Sequence, residues 1–233
     1  MSQQLTSFLE NFMKRGSLFK DKKALQGNYT PKNVPYRDEQ INQLASILAP
    51  ALRMEKPSNV FIYGKTGSGK TLVTKHVTSN ILSIAQKNNL YIRIFYLNCK
   101  LKRIADTEYR LIAQLAREFG EEVPATGLPT DEVYKIFLKG LEKQKTLLVI
   151  ILDEIDQLVN KTGDEILYNL TRLNSELKES EISLIGISND LMVTDHIDPR
   201  VKSSLSEEEI VFPPYNAVQL QGILQQRSKL TFG

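Results

Sequence analysis

Gly64-Lys65-Thr66-Gly67-Ser68-Gly69-Lys70-Thr71, flanked by Val60-Phe61-Ile62-Tyr63 before it and Leu72-Val73 after it, is the stretch on which the fold turns. It has the spacing of a phosphate-binding loop: glycine, four residues, then Gly-Lys-Thr. The context fits as well, because a β-prone run leads in and apolar residues at Leu72, Val73, Val77, Ile81 and Ile84 continue as a helix. Glycines let successive backbone N–H groups converge on phosphate oxygens, and the helix N-terminus adds partial positive charge. Lys70 is placed to reach the outer phosphates and the Thr71 hydroxyl to ligate Mg²⁺. A Gly/Ser/Lys-rich turn at a strand end is the bland alternative.

Such a loop needs a carboxylate at the end of a neighbouring strand. The continuous apolar run Leu147–Leu152 ends in Asp153-Glu154, where Asp153 is suited to Mg²⁺, directly or through water, and Glu154 to polarising an attacking water. A second apolar run, Ile182–Ile187, ends in Ser188-Asn189. The Asn189 amide there either bonds the water or terminal phosphate, or simply favours a turn.

Working outward, Tyr91–Leu97 and Glu209–Phe212 read as further strands, so strands alternate with helical stretches at 38–48, 106–119, 130–143, 166–177 and 216–229. The expected fold is α/β: a parallel five-stranded sheet with helices on both faces, because right-handed crossovers demand it. The opening forty residues, rich in Lys, Asn and Gly, read as a loose arm.

The 233 residues are 41% hydrophobic and 24% charged, which excludes wholesale disorder and leaves enough apolar surface for a self-supporting core. Cys99 is the sole cysteine, so an internal disulfide is excluded. No apolar run approaches the roughly eighteen residues of a membrane span, and the expected location is intracellular. Residues 56–105 carry 9 Lys and Arg and no Asp or Glu, whereas residues 106–233 carry 13 against 22. The first stretch suits a polyphosphate or a nucleic-acid backbone, or is a solvated face balanced by the acidic half.

Taken together, these residues resemble an AAA+ ATPase, and more narrowly the replication initiators of the origin-recognition and cell-division-cycle-protein family, its archaeal branch above all. Four phrases carry the resemblance besides the loop and acids: Tyr29-Thr30-Pro31 with Val34-Pro35-Tyr36-Arg37-Asp38-Glu39-Gln40; Tyr96-Leu97-Asn98-Cys99; Asp198-Pro199-Arg200-Val201-Lys202-Ser203-Ser204-Leu205; and Phe212-Pro213-Pro214-Tyr215. The resemblance implies an arm over 1–36, an ATPase base domain over 37–214 with an initiator-specific insertion near 104–143, and the start of a helical lid over 215–233. It further implies that Val34, Tyr36, Arg37 and Tyr215 surround the adenine, that Gly64, Thr66, Gly67, Ser68, Gly69, Lys70, Thr71 and Leu72 hold the phosphates, and that Thr71 and Asp153 hold Mg²⁺. Glu154, Asn189 and Arg200 are the implied catalytic set, Asn189 as sensor and Arg200 acting on nucleotide in cis or across an interface. Ser203-Ser204 lacks the arginine of the family's Ser-Arg pair, and a salt bridge between Arg200 and Asp198 is the competing reading.

The same resemblance implies ATP or ADP with Mg²⁺ as cofactors and duplex origin DNA, other initiator subunits and the replicative helicase as partners, with no membrane. Thr126-Gly127-Leu128 matches the turn that enters the minor groove, an apolar wedge with a glycine for close approach; an exposed helix–helix turn is the plain alternative. The expected function is the nucleotide-binding core of a replication initiator that recognises origins and helps load the helicase. A transcriptional regulator on the same scaffold and a clamp-loader-like ATPase are the alternatives. Since family members continue into a full lid and a winged helix, ATP hydrolysis by these 233 residues is expected to be slow.

Overall fold

The computed structural model describes residues 2–14, 19–22, 26, 29, 33–100, 107–193 and 197–232. Thr30, Pro31 and the start of the proposed insertion lie outside them. In chain order the elements are α1 (Ser2–Lys14), α2 (Asp38–Leu48), β1 (Val60–Gly64), α3 (Lys70–Lys87), β2 (Ile92–Asn98), α4 (Glu108–Glu118), α5 (Thr130–Leu141), β3 (Leu147–Asp153), α6 (Ile155–Thr162), α7 (Glu165–Arg172), β4 (Glu181–Ser188), α8 (Pro199–Leu205), β5 (Glu208–Phe212) and α9 (Ala217–Phe232). Two compact units emerge, one of residues 37–214 and one combining 1–36 with 215–233.

In the larger unit the five strands are all parallel and lie in the order β2-β3-β4-β1-β5. The chain steps from β1 out to β2 and then returns in one direction through β3 and β4 to β5. Right-handed crossovers therefore place α3 on one face and α4 to α8 on the other. Alternation along β3 records this. Leu148, Ile150 and Leu152 join one large cluster with Leu111, Leu115, Phe137, Leu158, Leu167 and Val201 from the α4–α8 side. Leu147, Val149 and Ile151 are equally buried but lie outside that cluster, on the face where α2 and α3 pack. Every residue of β3 is buried, as a strand covered on both faces requires.

On α3 the buried stripe is Val73, Val77, Ile81 and Ala85, a helical period of four; Ile84, counted with the apolar face from sequence, is exposed instead. The helix expected over 166–177 stops at Arg172 and tightens into a 3₁₀ turn over Leu173–Ser175. Helices α6 and α8 escape a purely periodic reading because each is only about two turns long.

A sequence reading of the first forty residues as a loose arm is corrected by α1, whose apolar residues Leu5, Phe8, Leu9 and Phe12 follow helical spacing. Within the smaller unit the Lys20 N–H donates to the Thr231 carbonyl at 2.6 Å and the Phe19 and Phe232 rings lie 5.4 Å apart. Tyr36 lies against Gly222 of α9, where any Cβ would run into the tyrosine hydroxyl.

Candidate nucleotide site

Parallel register brings the carboxyl ends of the strands to one edge: Tyr63 pairs with Ser188, Asp153 with Ile187, and Asn98 with Asp153. The chain leaves β1 toward α3 on one face and leaves β4 toward α8 on the other, so a crevice opens between those two strand ends, where ligands of open α/β sheets bind. There a cleft of about 280 Å³ is lined by Thr66, Gly67, Gly69, Lys70, Thr71, Leu72, Asp153, Glu154 and Asn189.

The loop is built by its glycines. Gly69 adopts φ +94° and Gly67 φ +81°, left-handed values that other residues enter only with strain, and they turn the backbone into the first turn of α3. Lys70 is buried, its ammonium donating to the Gly64 carbonyl at 2.6 Å, the Lys65 carbonyl at 3.1 Å and Asn189 Oδ1 at 2.9 Å. Burial pulls its pKa below the usual lysine value, while Asp153, Asp156 and Glu154 oppose that pull. The loop and the β4 end, 119 residues apart, are thus joined through one cation.

Thr71 Oγ1 donates to Asp153 Oδ2 at 2.8 Å. The other Asp153 oxygen accepts the Glu154 N–H at 3.0 Å. Glu154 sits at φ +57°, ψ +48°, a conformation that costs a non-glycine residue about 1–2 kcal/mol. Such strain is found where surrounding structure holds a residue in place. Its carboxylate is met by Asn98 Nδ2 at 3.4 Å and Lys100 Nζ at 3.6 Å. Lys100 and Lys56, the latter 3.9 Å from Glu207, show part of the acid-free stretch balanced by the acidic half.

The carboxylate was expected on a strand neighbouring the loop strand, yet β4 lies between β1 and β3, and that insertion is what sets Asn189 between Lys70 and Asp153. Two supporting residues lie outside the set expected from sequence. Buried Asp156 accepts from the Ser188 hydroxyl at 3.2 Å and the Asn189 N–H at 3.4 Å, fixing the end of β4. Tyr96 donates to Asp153 Oδ2 at 2.5 Å. Only the Asp153-x-x-Asp156 spacing hints at the first.

Arg37 is buried, its Nε donating to the Ser68 carbonyl at 2.9 Å and a terminal nitrogen to the Pro213 carbonyl at 2.6 Å, with the guanidinium 5.5 Å from the Phe212 ring. It ties the underside of the loop to the end of β5. Val34, Tyr36 and Tyr215 belong to the other unit. Gly64 and Ser68 shape the loop without lining the cleft. Arg200 lies outside the cleft lining; its guanidinium grips Asp198 through two bonds of 3.0 and 3.1 Å and stands 5.1 Å from the Tyr168 ring. Thr126 and Gly127 are exposed at the α4–α5 turn, Gly127 at φ +106°, while Leu128 packs partly on the core.

A phosphate loop on β1, acids on β3 and a polar amide on the strand between them define a P-loop NTPase fold of the AAA+ kind. A family model described as "AAA ATPase domain" matches residues 33–185, and the chain belongs to that family. It is similar to the ORC1-type DNA replication protein 1 of Methanosarcina acetivorans, 49% identical over 231 residues that cover 99% of this chain and 55% of that protein. Among solved structures it is similar to the Aeropyrum pernix ORC1 protein in complex with DNA, with a TM-score of 0.85 at 40% identity over 94% of this chain and 56% of that one. It is also similar to the ADP form of the Aeropyrum pernix ORC2 protein, with a TM-score of 0.78 at 26% identity over 92% and 58% of the two chains. The chain therefore spans little more than half the length of the relatives it matches. Among the described residues, no helix is long and apolar enough to cross a membrane.

Proposed function

We propose that this chain is the ATP- and ADP-binding AAA+ portion of a DNA replication initiator that recognises origins and helps load the replicative helicase, working as a slow nucleotide-dependent switch. The observation that carries the nucleotide part is the convergence of Lys70, Thr71, Asp153 and Asn189 on one cleft at the carboxyl ends of β1, β3 and β4. Lys70 and the loop N–H groups hold phosphate oxygens. Arg37 sets the loop from beneath through the Ser68 carbonyl. Glu154 takes a proton from the attacking water, with Asn189 orienting it, and Arg200 acts on nucleotide in cis or in trans once released from Asp198.

The donor set fits Mg²⁺. It is a hard cation that takes oxygen ligands, with one or two from protein and the rest from phosphates and water. Thr71 Oγ1 and Asp153 Oδ2 form such a pair 2.8 Å apart, and among the described residues no cluster of three acidic, His or Cys side chains could hold a metal without substrate. When bound, the ion would neutralise phosphate charge.

Lys70→Ala removes the buried cation from the loop and leaves Gly64, Lys65 and Asn189 acceptors unmatched. ADP affinity is expected to fall at least tenfold, about 1.4 kcal/mol; unchanged affinity by calorimetric titration would refute the phosphate-loop assignment. The DNA part draws support from the relatives' names and from the exposed Thr126-Gly127 turn. This chain is expected to bind duplex weakly, with a Kd of about 10⁻⁶ M or worse that rises steeply with salt, as phosphate contacts do. Anisotropy at two salt concentrations checks it, and nanomolar, salt-insensitive binding would place the DNA-reading surface elsewhere.

A further inference from the structure

Asp153 has more partners than its assigned role requires. Its Oδ2 accepts two hydrogen bonds, from Thr71 Oγ1 at 2.8 Å and from the Tyr96 hydroxyl at 2.5 Å, while Oδ1 accepts the Glu154 N–H at 3.0 Å. The carboxylate is thus clamped from three elements: α3, β2 and the backbone after β3. Tyr96 comes from β2, whose register beside β3 pairs it with Ile151 and Asn98 with Asp153. Its ring is covered by Lys75, whose ammonium stands 4.1 Å from the centroid. Lys75 lies one helical turn beyond Thr71, so a single helix supplies both a direct bond to Asp153 and the cation above the phenol that bonds it. A cation on the ring face draws electron density from the phenol and makes its O–H a better donor.

We propose that Tyr96 is a positioning residue for the metal carboxylate, holding Asp153 Oδ2 in the orientation that meets Thr71 and the ion, with Lys75 holding the Tyr96 ring in turn. The inference rests on the reading of Thr71 and Asp153 as the Mg²⁺ pair. Groups that orient metal ligands from behind commonly change metal affinity by about tenfold or more when removed. A Tyr96 that merely filled space would do nothing of the kind, because phenylalanine fills it equally.

The test compares ADP affinity with excess Mg²⁺ and with EDTA, by calorimetry, for the 233-residue chain, for Tyr96→Phe and for Asp153→Asn. Tyr96→Phe is expected to bind ADP in EDTA as the parent does, within about twofold, and to lose about tenfold of the gain that Mg²⁺ confers. The EDTA arm doubles as the check that the variant is folded. An undiminished Mg²⁺ gain in Tyr96→Phe, or an equal loss in both buffers, overturns the positioning role. If Asp153→Asn loses the gain while Tyr96→Phe keeps it, the metal pair stands and the inference about Tyr96 falls. If the parent chain gains nothing from Mg²⁺, the metal pair and the inference fall together.

Discussion

Glu154→Gln should lower ATP turnover by about 10²–10⁴-fold, the usual contribution of a general base, while leaving ADP affinity within about twofold. The amide keeps the length and an acceptor for the Asn98 Nδ2 contact at 3.4 Å, but it has no basic lone pair for the water's proton. Turnover of the parent chain is itself expected to lie below the enzyme median of about 10 per second, so single-turnover phosphate release is the appropriate measurement. Glu154→Gly is the companion variant. It should lose turnover equally but fold no less stably, because glycine enters the left-handed conformation at φ +57° without the penalty that glutamate bears. Turnover by Glu154→Gln at the parent rate would remove Glu154 from the chemistry.

The second large effect falls on stability. Gly64, the last residue of β1, adopts φ +156°, and a Cβ there would collide with the backbone carbonyl of Phe212 on the adjoining strand β5. Neither partner is a flexible side chain, so one strand must move. Overpacking costs about 1–3 kcal/mol and the backbone strain about 1–3 more. Gly64→Ala is therefore expected to lose about 3 kcal/mol or more and, at about 2–4 °C per kcal/mol for a domain of this size, to melt roughly 6–12 °C lower. Gly67→Ala is the control. It shares the positive φ, at +81°, but nothing stands within 4 Å of its Cβ, so it should lose only about 1–2 kcal/mol. Equal losses would mean that strain alone, and not the close approach of β5, makes Gly64 a glycine.

What the sequence determined by itself was the chemistry and the kind of fold. Phosphate loops, acids at the end of a fully apolar run and the alternation of strands with helices are local patterns, fixed by residue type and spacing within a dozen positions. Lys70, Thr71, Asp153, Glu154 and Asn189 were therefore all legible, and the structure brings these five to one cleft. What local pattern could not convey is which strand lies beside which. The order β2-β3-β4-β1-β5 depends on how the whole chain buries two faces of one sheet. From it follow the Asn189–Lys70 bond and the hold of Asp156 on the end of β4. The clamp of Tyr96 on Asp153 follows from the β2–β3 register in the same way. Arg37 shows the same limit. The family resemblance places it near the adenine, but no local pattern says that its guanidinium closes on carbonyls 31 and 176 residues away, because a buried cation must find acceptors and only the folded chain supplies them.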